Sequence, residues 1–325
     1  MVRSINISPA GKPPFIVEPD DVSHAIVTAD SVQIFSARKG LLGKIANIPD
    51  RAGLLWLAAL EMADVEFWAV HNEAQVLAEY VYINPAHIAY IDALHRTEKD
   101  PDDEDQILCR LNIGFTHNLC IPVTGVSAES AARLYTLLQR QQPDMAAFGP
   151  VMLHEAFNYV CFVPAKARYM TTAENRVDIL FYHLSSRADL QFIPAESERL
   201  NIFKDAAKIA DAEEKKRLHS LAAQAFISRM AKTAPALQKI RGTVEPLYID
   251  PQSIAKITVL PYKEATGARV ILRLTPSELA PSHNSYVPPA LFVRFASCQA
   301  QDAFLATQPM EKIKYQENSA PKFEP

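Results

Sequence analysis

The sequence predicts an α+β protein built from four divergent β-rich modules, each ordered about β-β-β-β-α, and three observations carry that prediction. A short motif, an apolar residue, any residue, then proline, recurs in strand-like surroundings as Val17-Glu18-Pro19, Ile83-Asn84-Pro85, Phe162-Val163-Pro164 and Ile249-Asp250-Pro251. Between the motifs, apolar and polar residues alternate with the two-residue period of a strand that buries one face. Stripes at three- and four-residue spacing follow, the period of a helix laid on a sheet.

The composition allows such a protein to bury its cores. At 325 residues the chain exceeds the size at which one core usually stops growing, and 49% hydrophobic with 22% charged residues is ordinary globular usage. The net charge of -4 excludes a global basic field, so nucleic acid is not the favoured partner. The first fifteen residues lack a signal-peptide apolar core and no run reaches the ~18 apolar residues of a membrane span. A soluble, cytoplasmic protein is expected. Cys109, Cys120, Cys161 and Cys298 form no CxxC pair and are expected as buried thiols.

Module one, residues 15–63, opens on Phe15-Ile16-Val17. Ser31 to Phe35 reads as a strand, and Arg38-Lys39-Gly40-Leu41-Leu42-Gly43-Lys44 as a hairpin loop. Asp50 stands as an N-cap ahead of an apolar helix over 54–60. Module two, residues 79–140, is the clearest copy. Tyr80 to Ile83 and Ile88 to Leu94 flank an Asn-Pro turn, Leu111 and Ile113 alternate with Arg110 and Asn112, and Ile121 and Val123 continue the pattern. Ser127 then caps a helix whose stripe is Ala131, Leu134, Tyr135 and Leu138.

Residues 141–157 read as a linker between an N-terminal half, 1–140, and a C-terminal half, 158–308. Module three, residues 158–210, places Val177, Ile179 and Phe181 on one strand face and Leu190 to Ile193 in a partner strand. A helix follows with Leu200, Phe203, Ala206, Ala207 and Ala210. A helical insertion, 211–244, carries Leu218, Leu221, Ala222, Ala225, Phe226 and Met230 as its apolar stripe. Module four, residues 245–308, has Val270, Leu272 and Leu274, then Leu291, Val293 and Phe295, separated by a proline-rich loop over 276–289. Its helix starts near Ser297. Residues 309–325 read as a mobile tail.

The run Tyr82-Ile83-Asn84-Pro85-Ala86-His87-Ile88-Ala89-Tyr90-Ile91, with its later strands and short helix, resembles the small bacterial FlbD-type proteins associated with flagellar genes. The resemblance covers about residues 79–139 and departs from the pattern at the acidic insertion 98–105. It implies no activity and no binding residue.

Local chemistry is sparse. Arg38, Lys39 and Lys44 group three cations at one hairpin as a candidate anion site, but the spacing is not that of a phosphate loop and Ile45 replaces its hydroxyl. The acidic insertion 98–105 lacks the glycine and ordered alternation of a calcium loop. The nine histidines form no HxH or HExxH, so no metal ligand and no cofactor is assigned. Pro19, Pro85, Pro164 and Pro251 are structural repeat positions. The function expected is a non-catalytic interaction or scaffold protein that binds a protein partner, or itself, through sheet edges or module faces. The alternatives are a nucleic-acid-binding regulator using the basic hairpin and an enzyme whose site forms between modules.

Overall fold

The computed structural model describes residues 4–7, 15–28, 31–36, 40–46, 65–71, 78–97, 107–115, 120–153, 156–173, 176–181, 190–192, 212–275 and 290–316. The chain divides into two compact units, residues 1–166 with 195–197 and residues 167–194 with 198–325. Its architecture is α+β. Antiparallel sheets dominate, and the helices follow the third strand of a sheet.

In the first unit, β1 (Ile5–Ile7) pairs with β2 (Phe15–Val17). The next strands are β3 (Val22–Thr28), β4 (Ser31–Ser36), β5 (Gly40–Ala46), β6 (Trp68–Val70) and β7 (Ala78–Ile83). They form one sheet in the order β5-β4-β3-β7-β6. Then come β8 (Ile88–Thr97), β9 (Ile107–Phe115), β10 (Cys120–Ser127), helix α1 (Ala128–Gln141), β11 (Ala146–Leu153) and β12 (Ala156–Phe162). Their sheet runs β10-β9-β8-β12-β11. Leu111, Ile113 and Val123 are fully buried, and Ala131, Leu134, Leu137 and Leu138 of α1 pack into the same core. The Ser127 hydroxyl caps α1 by accepting from Ser130 N–H at 3.2 Å.

The second unit holds β13 (Tyr169–Ala173), β14 (Arg176–Leu180), β15 (Leu190–Phe192), α2 (Ala212–Met230), β16 (Gln238–Ile240) and β17 (Leu247–Ile249). Its first sheet runs β15-β14-β13-β17-β16. The last strands are β18 (Ile254–Val259), β19 (Ala268–Leu274), β20 (Ala290–Phe295) and, after helix α3 (Cys298–Leu305), β21 (Ile313–Tyr315). The order is β20-β19-β18-β21, with β21 parallel to β18. The three five-stranded sheets thus share one strand order.

Each motif proline opens a three-residue 3-10 turn, at Pro19–Asp21, Pro85–His87, Pro164–Lys166 and Pro251–Ser253. A ring that fixes φ and lacks an N–H suits the first position of such a turn. The prolines are therefore just past the motif strands. At Pro85 the turn carries the chain out of one sheet and into the next: β7 bonds to β3, while β8 bonds to β9 and β12. At Pro251, β17 bonds to β13 and β18 to β19. The sequence boundaries at 79 and 245 therefore cut through sheets. The residue before the proline also bonds in a constant way. Asn84 N–H donates to Ser23 O, Val163 N–H to Ala89 O and Asp250 N–H to Arg168 O, each at 2.9 Å.

Further expectations need correction, among them the helical insertion over 211–244, whose helix ends at Met230 and whose residues Gln238–Ile240 form β16. Residues 141–157 are no linker: apolar residues of β11 pair with β12, and the division between units falls at 166/167 instead. Residues 309–316 are no loose tail, because Met310–Lys312 forms another 3-10 turn and β21 completes the last sheet. The loop expected over 38–44 is shorter, since strand pairing resumes at Gly40 opposite Ser36. On α2 the buried stripe is Ala222, Ala223, Phe226, Ile227 and Met230, whereas Leu221 is 41% exposed. The expected helices over 54–60 and 200–210, the acidic insertion 98–105, the loop 276–289 and residues 317–325 lie outside the described residues. Among the described residues, no helix is long and apolar enough to cross a membrane.

Candidate functional site

The turn after each motif strand sets up the local chemistry. Asn84 Oδ1 accepts from Ala86 N–H at 3.0 Å and Asp250 Oδ1 accepts from Gln252 N–H at 2.9 Å, so each acts as an Asx cap that holds the turn closed. So short a turn leaves carbonyls facing outward, and buried carbonyls need donors. At the Pro85 turn those donors are supplied from two directions. Gln142 Nε2 donates to Pro85 O at 2.6 Å and to Ile88 O at 2.9 Å. Lys166 Nζ donates to Ala86 O at 2.7 Å and to Ile88 O at 3.0 Å.

Burial pushes the Lys166 amine down to about 7. A neutral amine still carries two N–H donors, enough for both carbonyls. Lys166 is the last residue of its own turn. His87, the last of the Pro85 turn, reaches back in the same sense, with Nε2 2.6 Å from Asp20 O. Lys312, the last of the Met310–Lys312 turn, donates from Nζ to Ile254 O at 2.7 Å. A basic residue at the end of one turn thus holds the turn before it.

The edge strands beside the Pro85 and Pro251 turns differ. Trp68 of β6 lies opposite Ile83, two residues before Pro85. It is 1% exposed, and its Nε1–H donates to Ser130 O in the first turn of α1 at 3.0 Å. Gln238 of β16 lies opposite Ile249, two residues before Pro251. It is exposed, and the residue on α3 that matches Ser130 by its distance from the capping serine is Ala300. The Ser297 hydroxyl caps that helix by accepting from Ala300 N–H at 3.1 Å.

The helices differ too. α1 has 14 residues and α3 has 8. A difference of six residues is about 9 Å of helix, and it is the C-terminal end of α1 that carries Gln142 into the Pro85 turn.

The outcome in the second unit is a cleft of about 700 Å³ bounded by β16, the Pro251 turn, α3 and the Met310–Lys312 turn. Ile240, Ile254 and Phe304 line its apolar wall, and Lys239, Arg241 and Lys312 contribute to its lining. No carboxylate is among the described lining residues. Lys239 Nζ lies 6.0 Å from the Tyr248 ring centroid, within cation–π range. Gly242 follows with φ +76, and a Cβ there would meet the Ala300 Cβ at 2.5 Å, so the strand exit can lie against α3 only as glycine.

No protein-family model and no curated protein matches this sequence. The cleft's volume falls in the range of ligand pockets, and apolar walls with a few charged groups are the usual makeup of such pockets. Among its described residues it lacks the paired acid and base groups that a reaction would need.

The residues singled out from the sequence do not converge there. Arg38 and Lys39 lie outside the described residues. Lys44 sits within β5 opposite Gln33, three paired positions from the turn, and not on a loop. Pro251 lines the cleft, and Pro85 occupies the matching place in the filled joint.

Among the described residues no group of three His, Cys, Asp or Glu side chains could hold a metal. His24 is buried between Phe35 and Phe115, with ring centroids 4.2 and 4.9 Å away, and burial pushes it down to about 3. Cys161 is buried and pushed up to about 12, while Cys120 and Cys298 are exposed, contrary to expectation. Sequence reading missed Gln238, Lys239, Arg241 and Lys312. The signal for Lys239 and Arg241 was a basic pair beside a glycine, but Lys312 joins them only through the turn that follows α3.

Proposed function

We propose that this is a non-catalytic cytoplasmic interaction or scaffold protein built from four divergent copies of one β-rich module, with partners held at exposed edges and faces. The observation that carries the reading is the shared strand order of the three five-stranded sheets, together with the same proline turn after the same strand. Repetition of this kind multiplies similar surfaces, and strand edges offer ready pairing sites. The cleft beside β16 supports binding over reaction, because its described lining residues offer cations and apolar walls but no carboxylate or histidine.

Quantitative capture on the purified full chain, run beside light scattering and metabolite profiling, tests the reading. A stoichiometric partner or a defined self-assembly, with metabolites unchanged, is the expected result. Deleting residues 98–105 and, separately, 276–289 should then alter partner choice. Turnover of any metabolite by the monomer would replace the scaffold reading with an enzymatic one.

A further inference from the structure

The two joints occupy matching places in the chain, and this tells what the open one is shaped to hold. At the filled joint an indole enters from the edge strand, joins the core that includes Ile83 and Ile88 on either side of the proline turn, and donates its N–H to a carbonyl in the first turn of the helix. At the open joint the edge strand, turn and helix recur, but Gln238 stands where Trp68 would and the helix is shorter. An aromatic side chain is buried at the first position, whereas Gln238 is exposed and an open cleft lies beside it.

Its described lining residues are charged in one sense only, although Glu311 stands exposed in the turn that bounds it. Lys239 and Arg241 are both exposed, Lys312 is half-buried, and no carboxylate is among the described lining residues. A cleft with like charges and no internal counterion attracts opposite charge at its mouth. Aromatic residues are the commonest anchors of peptide and protein contacts because they bury a large area while ordering few rotors.

We propose that the cleft bounded by β16, the Pro251 turn and α3 is a docking site for a partner protein's peptide segment in which an aromatic residue is flanked by acidic ones. The aromatic ring enters between Pro251 and Phe304, where the first unit holds its own tryptophan. The acidic flanks lie against Lys239 and Arg241. This assignment rests on the interaction-protein reading, but it can fail while that reading stands, since partners could bind other edges.

The test uses the intact chain and a fluorescein-labelled twelve-residue peptide with one tryptophan between Asp-Glu pairs. Control probes carry Lys in place of the acids, or alanine in place of the tryptophan, and free indole-3-acetate is tested alongside. The acidic aromatic peptide should bind with a Kd on the order of 10–100 μM, and each control peptide should bind at least ~10-fold more weakly. Added salt should weaken it, because the charges on the rim are exposed.

Gln238→Trp should occupy the cleft from within and weaken binding by ~10-fold or more. Lys239→Glu/Arg241→Glu changes only exposed side chains and should do the same. This second variant keeps the test decisive even if the first does not fold. Equal binding of acidic and basic peptides, or wild-type affinity in the double charge variant, would overturn the proposal. Indole-3-acetate binding as tightly as the peptide would also overturn it, in favour of a small-molecule site.

Discussion

The joint at Pro85 is packed shut and the joint at Pro251 is open, although an edge strand, a proline turn and a serine-capped helix surround both. The first places Trp68 on the edge strand and a 14-residue helix whose last turn brings Gln142 onto the proline turn. The second has Gln238, an 8-residue helix and a lysine reaching in from the chain beyond it. Among the differences between core and cleft are one side chain on the edge strand and less than two turns of helix. The turn itself is kept in both, with an Asx cap, a proline and a basic residue from the following turn satisfying its carbonyls. The scaffold lies in the turn, and the freedom to vary lies in what covers it.

The largest expected effect comes from emptying the filled joint. Trp68→Ala removes a fully buried indole and leaves Ser130 O without that donor, and should destabilise the first unit by ~3–5 kcal/mol. Hydrogen exchange resolved by segment should show the loss in β7 and β8, with the second unit unchanged. Equal loss in both units would mean that the joint is not a local structure.

The next effect is on pH dependence. Burial pushes Lys166 down to about 7 from its ordinary 10.5. Between those values the unfolded chain holds a proton that the folded chain has released, so stability of the first unit should rise with pH across that window. Below pH ~7 both states carry the proton and this dependence ends. Lys166→Met should flatten the rise, measured as urea midpoints from pH 6.5 to 10. His24 acts at the acid end. Its folded value of about 3 lies below the ordinary 6.5, so stability should be lost as pH falls through that interval, and His24→Phe should reduce the loss.

Gln142→Ala should cost the first unit ~1–3 kcal/mol, because Pro85 O loses its side-chain donor in a buried setting. Lys166 still serves Ile88 O, which limits the damage. The smallest effect is expected at the open joint, where Lys312→Met removes a hydrogen bond to Ile254 O worth ~0.5–1.5 kcal/mol. Thermal unfolding of each variant, followed by exchange in its own unit, would rank them. A larger loss for Lys312→Met than for Gln142→Ala would reverse the comparison.

Much of the fold was legible where local signals agree with tertiary packing. Leu111, Ile113, Val177 and Ile179 alternate as their strands require, and Ser127 and Ser297 both cap the helices they precede. The motif prolines were legible as a recurring element, but not their placement just past the strands, because a turn of three residues leaves no periodicity. Sheet membership was hidden for a related reason. The strand before a proline pairs backward along the chain and the strand after it forward, so a module read as a continuous stretch is divided between sheets.

The cleft was the least legible feature. Nothing in Gln238 signals that it replaces a tryptophan until β6 and β16 are paired with their neighbours. The basic hairpin at 38–44 drew notice because its cations are close in sequence. Lys239, Arg241 and Lys312 are brought to one cavity only by folding.

Tryptophan fluorescence of Gln238→Trp, read as a difference from wild type, decides whether the cleft is the vacant counterpart of the Trp68 pocket. An indole seated beside Pro251 should emit to the blue of free indole and resist iodide quenching, and the unfolding midpoint of the second unit should hold or rise. Emission like that of free indole, with full access to iodide, would show that the cleft does not accept the side chain its counterpart holds.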